Sequence, residues 1–344
     1  MRRISALFLL LALLLTLTGC PSQDAPEQQK ADQLTVHYLD VGQADCALLE
    51  CGGEYILIDG GNVADSSLVV SYLEKQGVEK LLAVVCSHAH EDHVGGLPGV
   101  LAVYPTDHVY APTKTYSSKC FDDFAYYTDQ QGLEITIPKP GDYLHFGGAT
   151  MSVLGPVESY ADPNNTSIVV MVQFGENRFL FTGDMETEAE NDMLDYWGES
   201  FNWKTDVLKV GHHGSNTSSG YRFLYETAPE FAVISVGADN SYGHPHDEPM
   251  SRLRDADVTV YRTDTMGAIL AVSDGKSITF TWEKASAQPE APGGAAEYYI
   301  GNKNSHVFHL PTCSGLPAEK NRTRFDTYEA ATKAGYTPCS RCFG

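Results

Sequence analysis

Positive charge is what this 344-residue chain has least of. Its 23 Lys and Arg stand against 45 Asp and Glu, for a formal net charge of −22. That balance repels a polyanion at long range and counts against nonspecific duplex binding. The deficit is uneven: residues 33–284 carry 14 basic and 37 acidic side chains, net −23, whereas residues 298–344 carry 6 and 3, net +3. A bound cation reverses the sign locally, so the charge alone does not exclude a phosphate substrate. Internal repeats with a period of roughly 20–50 residues are also lacking, which removes repeat architectures from consideration. What is present suffices for a substantial core, because 42% of residues are hydrophobic and 20% charged. Wholesale disorder is excluded, and the length suits one large domain or two ordinary ones.

The N-terminus reads as a targeting segment. Arg2 and Arg3 precede ALFLLLALLLTLT, an apolar run too short to span a bilayer comfortably, and LTGC follows. This resembles the lipobox of bacterial lipoproteins, in which Cys20 becomes the lipidated first residue. Residues 1–20 are therefore expected to be a lipoprotein signal peptide rather than an uncleaved anchor. Either way the rest lies outside the cytoplasm, lipid-anchored to a bacterial membrane in the preferred reading. Residues 21–33 and 285–297 are Pro-, Gly-, Ala- or Gln-rich and read as linkers. They bracket a large domain, 34–284, and precede a small one, 298–344.

Within the large domain, LTVHYLDVG, CALLEC and EYILIDGG read as strands separated by Gly turns, and SSLVVSYLEKQG as a helix with a Gly stop. Further short β-branched runs alternate with helical patterns, predicting a strand-rich α/β domain whose sheets are covered by helices. The ends of four such runs carry the chemistry. LLAVVCS runs into His88, His90, Asp92 and His93, and RFLFTG ends at Asp184. DVLKVG ends at His212 and His213, and FAVISVGADNSYG leads to His244 and His246. Imidazole and carboxylate ligands suit zinc or manganese, and a metal with an open position generates hydroxide at neutral pH. A single closed structural zinc fits this many candidates poorly.

His88-x-His90-x-Asp92-His93, followed by Gly95 and Gly96, resembles the HxHxDH signature of the metallo-β-lactamase fold, and TGDM resembles that family's bridging aspartate. LDVGQADC, LIDGG, NNTSIVV, FTGDM, LKVGHHGS and YGHPH occur in order across 34–282. They resemble the soluble hydrolase domain of ComEC-type competence proteins and, beyond them, surface phosphorylcholine esterases. The resemblance implies an α/β fold, the αββα four-layer sandwich, with two divalent metals (Zn or Mn) in the cleft between the sheets. It implies that His88 and His90 hold one metal, that Asp92 and His93 hold the other, and that Asp184 bridges them. His212 or His213 adds a further ligand. The third histidine usual in the fold is absent, and Asn165 stands in that region, leaving room for water or a substrate oxygen. His108 and His145 lack the flanking pattern and read as ordinary histidines.

Other positions are read from their place at strand ends. Asp45 and Asp59 are candidates for orienting ligand histidines from behind, or for capping turns. Lys209 lies near the cleft or snorkels from a strand end. His246 is a candidate to contact a phosphate or donate a proton to the leaving group, alongside Asp92 and Asp184 as catalytic carboxylates.

In the small domain, His309-x3-Cys313 and Cys339-x2-Cys342 supply two pairs of N/S ligands, the makings of one structural zinc in a domain too small to hold itself together otherwise. The pattern resembles the zinc-binding domain of the Ada DNA-repair protein, so a small zinc-stapled α+β unit is expected. His309 stands where that family has its methyl-accepting cysteine, so methyl transfer is not implied. A Cys339–Cys342 disulfide would leave His309 and Cys313 unexplained. Pairing among Cys46, Cys51, Cys86 and Cys120 stays open.

The leading expectation is a metal-dependent phosphodiesterase acting on DNA outside the membrane, with a metal-bridging hydroxide as nucleophile and the basic tail as the nucleic-acid grip. The alternatives are an esterase acting on phosphorylcholine or cell-wall polymers and a catalytically idle binding lipoprotein.

Overall fold

The computed structural model describes residues 33–291 and 298–342, apart from 312 and 314. The expected signal peptide, Cys20 and nearly all of the first linker lie outside the described residues, as do 292–297 of the second.

The large domain is built on two sheets. One runs, in spatial order, Ile278–Trp282, Ile269–Ser273, Leu34–Tyr38, Ala47–Cys51, Glu54–Ile58, Leu81–Val85, Thr106–Tyr110 and Ile135–Thr136. The other runs Thr259–Arg262, Phe231–Ile234, Val207–Lys209, Asn177–Phe181, Val169–Phe174, Ala149–Gly155 and Tyr143–Phe146. Both are mixed: antiparallel hairpins give way to parallel pairing, from Glu54–Ile58 onward in the first sheet and from Asn177–Phe181 to Thr259–Arg262 in the second.

Strand periodicity sorts the side chains into layers. Leu34, Val36, Tyr38, Leu49, Ile56 and Val85 meet Met151, Val170, Val172, Phe179 and Phe181 between the sheets. The alternate residues Leu48, Leu57 and Val84 face outward onto Val69, Leu73, Val100, Leu101, Phe121 and Phe124. Those belong to the helices Ser66–Lys75, Leu97–Val103 and Lys119–Gln130, the last N-capped by the Ser118 hydroxyl. On the far side, Val169, Met171, Leu180, Leu208 and Ile234 pack against Met193, Leu194, Phe223, Leu224 and Leu253. Helices Thr187–Trp197, Tyr221–Thr227 and Asp247–Asp255 supply these. The layering is helix, sheet, sheet, helix, the sandwich that the resemblance implies. A buried side chain such as Leu49 is worth about 2–5 kcal/mol against Ala in such a core.

Two findings bear on domain organisation. Residues 285–291, read as linker from composition, lie along the second sheet's edge. There Val260 and Glu290 exchange backbone hydrogen bonds of 3.0 and 2.8 Å, and the Glu290 carboxylate accepts from Arg262 at 3.0 Å. The tail forms a four-stranded sheet, Arg322–Phe325, Tyr299–Asn302, Val307–His309 and Thr337–Pro338, with the helix Tyr328–Lys333 against it. It packs on the hydrolase domain through Tyr221 and through Tyr225, whose ring stacks on Tyr328 at 4.6 Å. Cys46, Cys51, Cys86 and Cys120 are buried free thiols. Among the described residues, no helix is long and apolar enough to cross a membrane.

Candidate metal centre

The strands that carry the histidines and Asp184 end at one edge of the sandwich, and their following loops close over it. Gly96 and Gly183 make that closure possible. A Cβ on Gly96 would sit 2.0 Å from the Gly60 carbonyl oxygen. Gly183 has φ +51° and room only for hydrogen beside Ser87 and Ser167. The LIDGG, HxHxDH and TGD segments can therefore press together.

His88 and His93 are fully buried, and Asp184 and His213 are 2% exposed. Asp184 stands at the centre: its Oδ1 lies 3.2 Å from His93 Nε2, while its Oδ2 faces His213 Nε2 at 3.6 Å, His212 Nε2 at 3.7 Å and His88 Nε2 at 3.9 Å. Asp92 Oδ2 is 3.2 Å from His213 Nε2 and 3.8 Å from His93 Nε2. Donor atoms of Asp92, His93, Asp184 and His213 all lie within 4.8 Å of one another. His90 Nδ1 approaches His88 Nε2 at 3.1 Å, forming an adjoining group of donors.

The far nitrogens of the buried histidines are held from behind. His93 Nδ1 donates to Asp59 Oδ2 at 2.9 Å, and Asp59 Oδ1 accepts the Ser87 amide at 2.7 Å. His213 Nδ1 donates to the Ser235 carbonyl at 2.9 Å and lies 3.3 Å from Asp45 Oδ1. Each contact places the ring proton on Nδ1 and turns the Nε2 lone pair toward the cluster, the arrangement that a metal-binding imidazole requires.

The donor set fits cations by two tests. His93 Nε2 and Asp184 Oδ1 are buried and, apart from facing each other at 3.2 Å, have no hydrogen-bond partner, a costly arrangement unless a further partner satisfies them. The charge distribution agrees. Burial would raise the Asp184 pKa, yet the His93 and His213 rings hold it well below the usual carboxylate range. Burial likewise works against charge on His213, but Asp184 and Asp45 outweigh it and lift its pKa to about 10. His93 is lifted in the same way by Asp184, Asp59 and Asp92. The acids thus recruit protons onto the two rings, and divalent cations would take those protons' place. His88 goes the other way, lowered by burial and then by His93.

The adjacent histidines have distinct places. His213 is buried inside the four-residue group. His212, with its side chain 23% exposed, reaches Asp184 from the outer side while its Nδ1 lies 3.2 Å from Glu186 Oε1. Both have left-handed backbones, φ 49° and 52°, which is how consecutive residues turn toward one cluster.

Other expected residues fall elsewhere. Asn165 is buried but turned away from the cluster: its Oδ1 accepts the Glu186 amide at 3.0 Å and its Nδ2 donates to Glu188 at 3.3 Å. It positions the acid that contacts His212. His246 accepts the Asn216 amide at 3.0 Å on Nδ1 and donates to the Tyr242 carbonyl at 3.2 Å on Nε2. With both nitrogens occupied, it fixes a loop and is not posed to protonate a leaving group. The ring over the cluster is His244, 5.7 Å from His212 and 6.4 Å from His213, with Nδ1 accepting from Gln43 at 3.2 Å. Burial and then His213 lower its pKa to about 4. Lys209 is 4% exposed and pairs with Asp45 Oδ2 at 2.7 Å, so it lies beneath the cleft. His108 is a strand residue, and His145 Nδ1 bonds Thr150 Oγ1 on the far sheet edge.

Sequence reading missed Ser87, whose Oγ lies 3.2 Å from His93 Nδ1. It also missed Ser167, whose Oγ accepts the Asp184 amide at 3.0 Å, and Glu186, beside His212. Each stands within two residues of a residue singled out, the one signal that would have found them.

In the tail, donor atoms of His309, Cys313, Cys339 and Cys342 lie within 4.8 Å of one another, and all three cysteines are free thiols. The set suits a tetrahedral zinc.

This sandwich, with a His/Asp cluster at the strand ends, is the architecture of a metal-dependent hydrolase. Residues 39–238 match the metallo-beta-lactamase superfamily, and residues 285–343 match the metal binding domain of Ada. The chain belongs to the metallo-beta-lactamase superfamily and carries an Ada-like zinc-binding domain after the hydrolase domain. It is 30% identical over 253 residues to ComE operon protein 3 of Bacillus subtilis strain 168, across 68% of this chain and 32% of that one. It is 31% identical over 246 residues to the competence protein ComA of Neisseria gonorrhoeae, across 71% and 33%. The chain therefore spans about a third of the length of these relatives. The metallo-beta-lactamase fold protein YhfI from Bacillus subtilis superposes with a TM-score of 0.48 at 14% identity, covering 70% of this chain and all of that one.

Proposed function

We propose that this protein is a metal-dependent phosphodiesterase that cuts DNA strands outside the cytoplasmic membrane, where a lipid on Cys20 holds it. The observation that carries the reading is Asp184, a buried carboxylate with one oxygen toward His93 and the other toward His88, His212 and His213. One metal would be held by His88, His90 and Asp184, with His212 alongside, and a second by Asp92, His93, His213 and Asp184. Divalent zinc or manganese supplies Lewis acidity toward a phosphoryl oxygen and water acidic enough to act as a nucleophile. The chain's own part is to set the donors. Asp59 and the Ser235 carbonyl lock His93 and His213 in one tautomer, Ser167 holds the Asp184 backbone, and Glu186 with Asn165 steadies His212.

The names of two relatives, a competence protein and a recombination protein, support DNA as substrate. The tail supports it too: Arg322 and Arg324 lie on its edge strand, with Arg324 over the Tyr298 ring at 4.1 Å. A surface that carries a positive excess next to an acidic hydrolase domain supplies the grip the latter lacks. A second reading, hydrolysis of phosphorylcholine or related cell-wall esters, draws support from the acids at the cleft's edge. Glu186 and Glu188, anchored by Asn164 and Asn165, favour a cationic headgroup over a polyanion.

Hydrolysis of single-stranded DNA and of phosphorylcholine esters by the purified chain, with manganese or zinc, separates the two. Metal-dependent cutting of DNA is expected. Release of choline phosphate with DNA left intact would overturn the nuclease reading. Anchoring is tested in cells, where Cys20→Ala should shift the protein from the membrane to the soluble fraction. Unchanged membrane association would contradict it.

A further inference from the structure

The metal-site histidines belong to a longer row of rings. From Tyr116 the row passes to His90 at 6.3 Å, His88 at 4.7 Å, His93 at 4.1 Å, His213 at 5.4 Å, His244 at 6.4 Å and Tyr242 at 5.6 Å. On the Tyr116 side it runs on into the core through Phe121 at 6.2 Å; on the other side it ends at Tyr242. The Tyr242 end is the more accessible: the residue is 67% exposed, and its ring lies nearly parallel to His244, with an interplanar angle of 24°.

The loop that carries Tyr242 is held tightly. Asn240 alone makes four bonds: its Nδ2 donates to the Gly237 and His244 carbonyls, and its Oδ1 accepts the Tyr242 and His244 amides. His246 takes the Tyr242 carbonyl, and Gln43 joins the Gly237 amide to His244 Nδ1. The result is an exposed aromatic ring on a rigid loop, parallel to the ring that borders the metal cluster. Its outer face meets water. With the backbone beneath the ring fixed in this way, the loop has little further entropy to give up when a flat partner stacks on it.

We infer that Tyr242 is a stacking platform for a nucleobase of a single-stranded substrate, seated beside the phosphodiester that lies over the cluster. The inference rests on the phosphodiesterase reading and names its substrate class. Stacking suits a site with scarce positive charge, because base–aromatic contact does not depend on neutralising phosphates. A quaternary ammonium is instead boxed by several rings, whereas Tyr242 offers one open face. Sequence preference is expected to be weak, since every base has a π-face.

The test uses the full metal-loaded chain with Tyr242→Ala and Tyr242→Trp. The substrates are a short single-stranded DNA and the same strand made of abasic sugars. A strand bearing 2-aminopurine reports stacking through fluorescence quenching, independently of turnover. Tyr242→Ala should raise KM for the normal strand roughly 5- to 100-fold and leave kcat within about twofold. It should leave the abasic strand unaffected and lose the quenching, and Tyr242→Trp should restore both. An unchanged KM with quenching retained, or equal losses on both strands, would overturn the platform. Should the wild-type chain cut neither strand, the phosphodiesterase reading fails. The quenching titration still decides the stacking, which is upheld if Tyr242→Ala abolishes it and refuted if it does not.

Discussion

Lys209 and Asp45 form an ion pair of 2.7 Å beneath the metal cluster, their side chains only 4% and 6% exposed. The ammonium also donates to the Val210 carbonyl at 2.8 Å, and the other Asp45 oxygen faces His213 at 3.3 Å. Removing one partner of such a pair strands a buried charge, at a cost of about 3–5 kcal/mol. Lys209→Met should therefore lower the unfolding free energy by that amount in urea titration. Replacing both partners, as in Lys209→Met with Asp45→Leu, should recover most of it. A Lys209→Met chain as stable as the wild type would show that the pair carries no such stress.

Glu190 gives a pH signature. It is 2% exposed and accepts the Ser219 and Gly220 amides at the start of the helix Tyr221–Thr227, and burial raises its pKa from 4.5 to about 7. The folded chain therefore keeps a proton that the unfolded chain releases between those values. Stability contributed by the protonated group is present below pH 4.5 and is lost as pH rises toward 7. The loss is on the order of 3 kcal/mol. Glu190→Gln should flatten this part of the stability profile. A wild-type-minus-variant difference that stays constant from pH 4.5 to 7.5 would contradict the assignment.

The tail's zinc should be separable from the hydrolase metals. Its four donors all belong to the tail, and none of them is among the hydrolase-site donors. Cys339→Ser with Cys342→Ser should reduce bound zinc by about one equivalent, since a structural site needs its full ligand set. The hydrolase-site metals should remain. Metal analysis that finds no difference between the variant and the wild type would remove zinc from the tail.

The sandwich and the gathering of His and Asp at strand ends could be read from the sequence. Both follow from local patterns: alternating apolar residues in 34–58 and 169–181, and ligand types placed straight after them. Side-chain direction could not be read. His212 and His213 are neighbours in the chain, and only their left-handed backbones, set by the closure of the turn, decide which is buried. His244 and His246 differ by which one Asn216 and Tyr242 capture from across the loop. Composition also misleads at 285–291, where a tether-like sequence is drawn onto a sheet edge by Arg262, a residue 28 positions before Glu290. The helix Asp247–Asp255 escaped notice because its buried face is short: Pro249, Met250, Arg252 and Leu253.

The central claim is that Asp184 joins two metals in one hydrolytic site, and Asp184→Asn tests it most directly. The amide keeps the shape of the side chain and its place beside Ser167, but removes the charge that faces four histidines. Metal content and hydrolysis of bis-p-nitrophenyl phosphate and single-stranded DNA are measured on the same samples. The account predicts that bound metal at the hydrolase site falls and that phosphodiester hydrolysis is abolished, while the tail keeps its zinc. An Asp184→Asn chain that retains both hydrolase metals and wild-type turnover would contradict it.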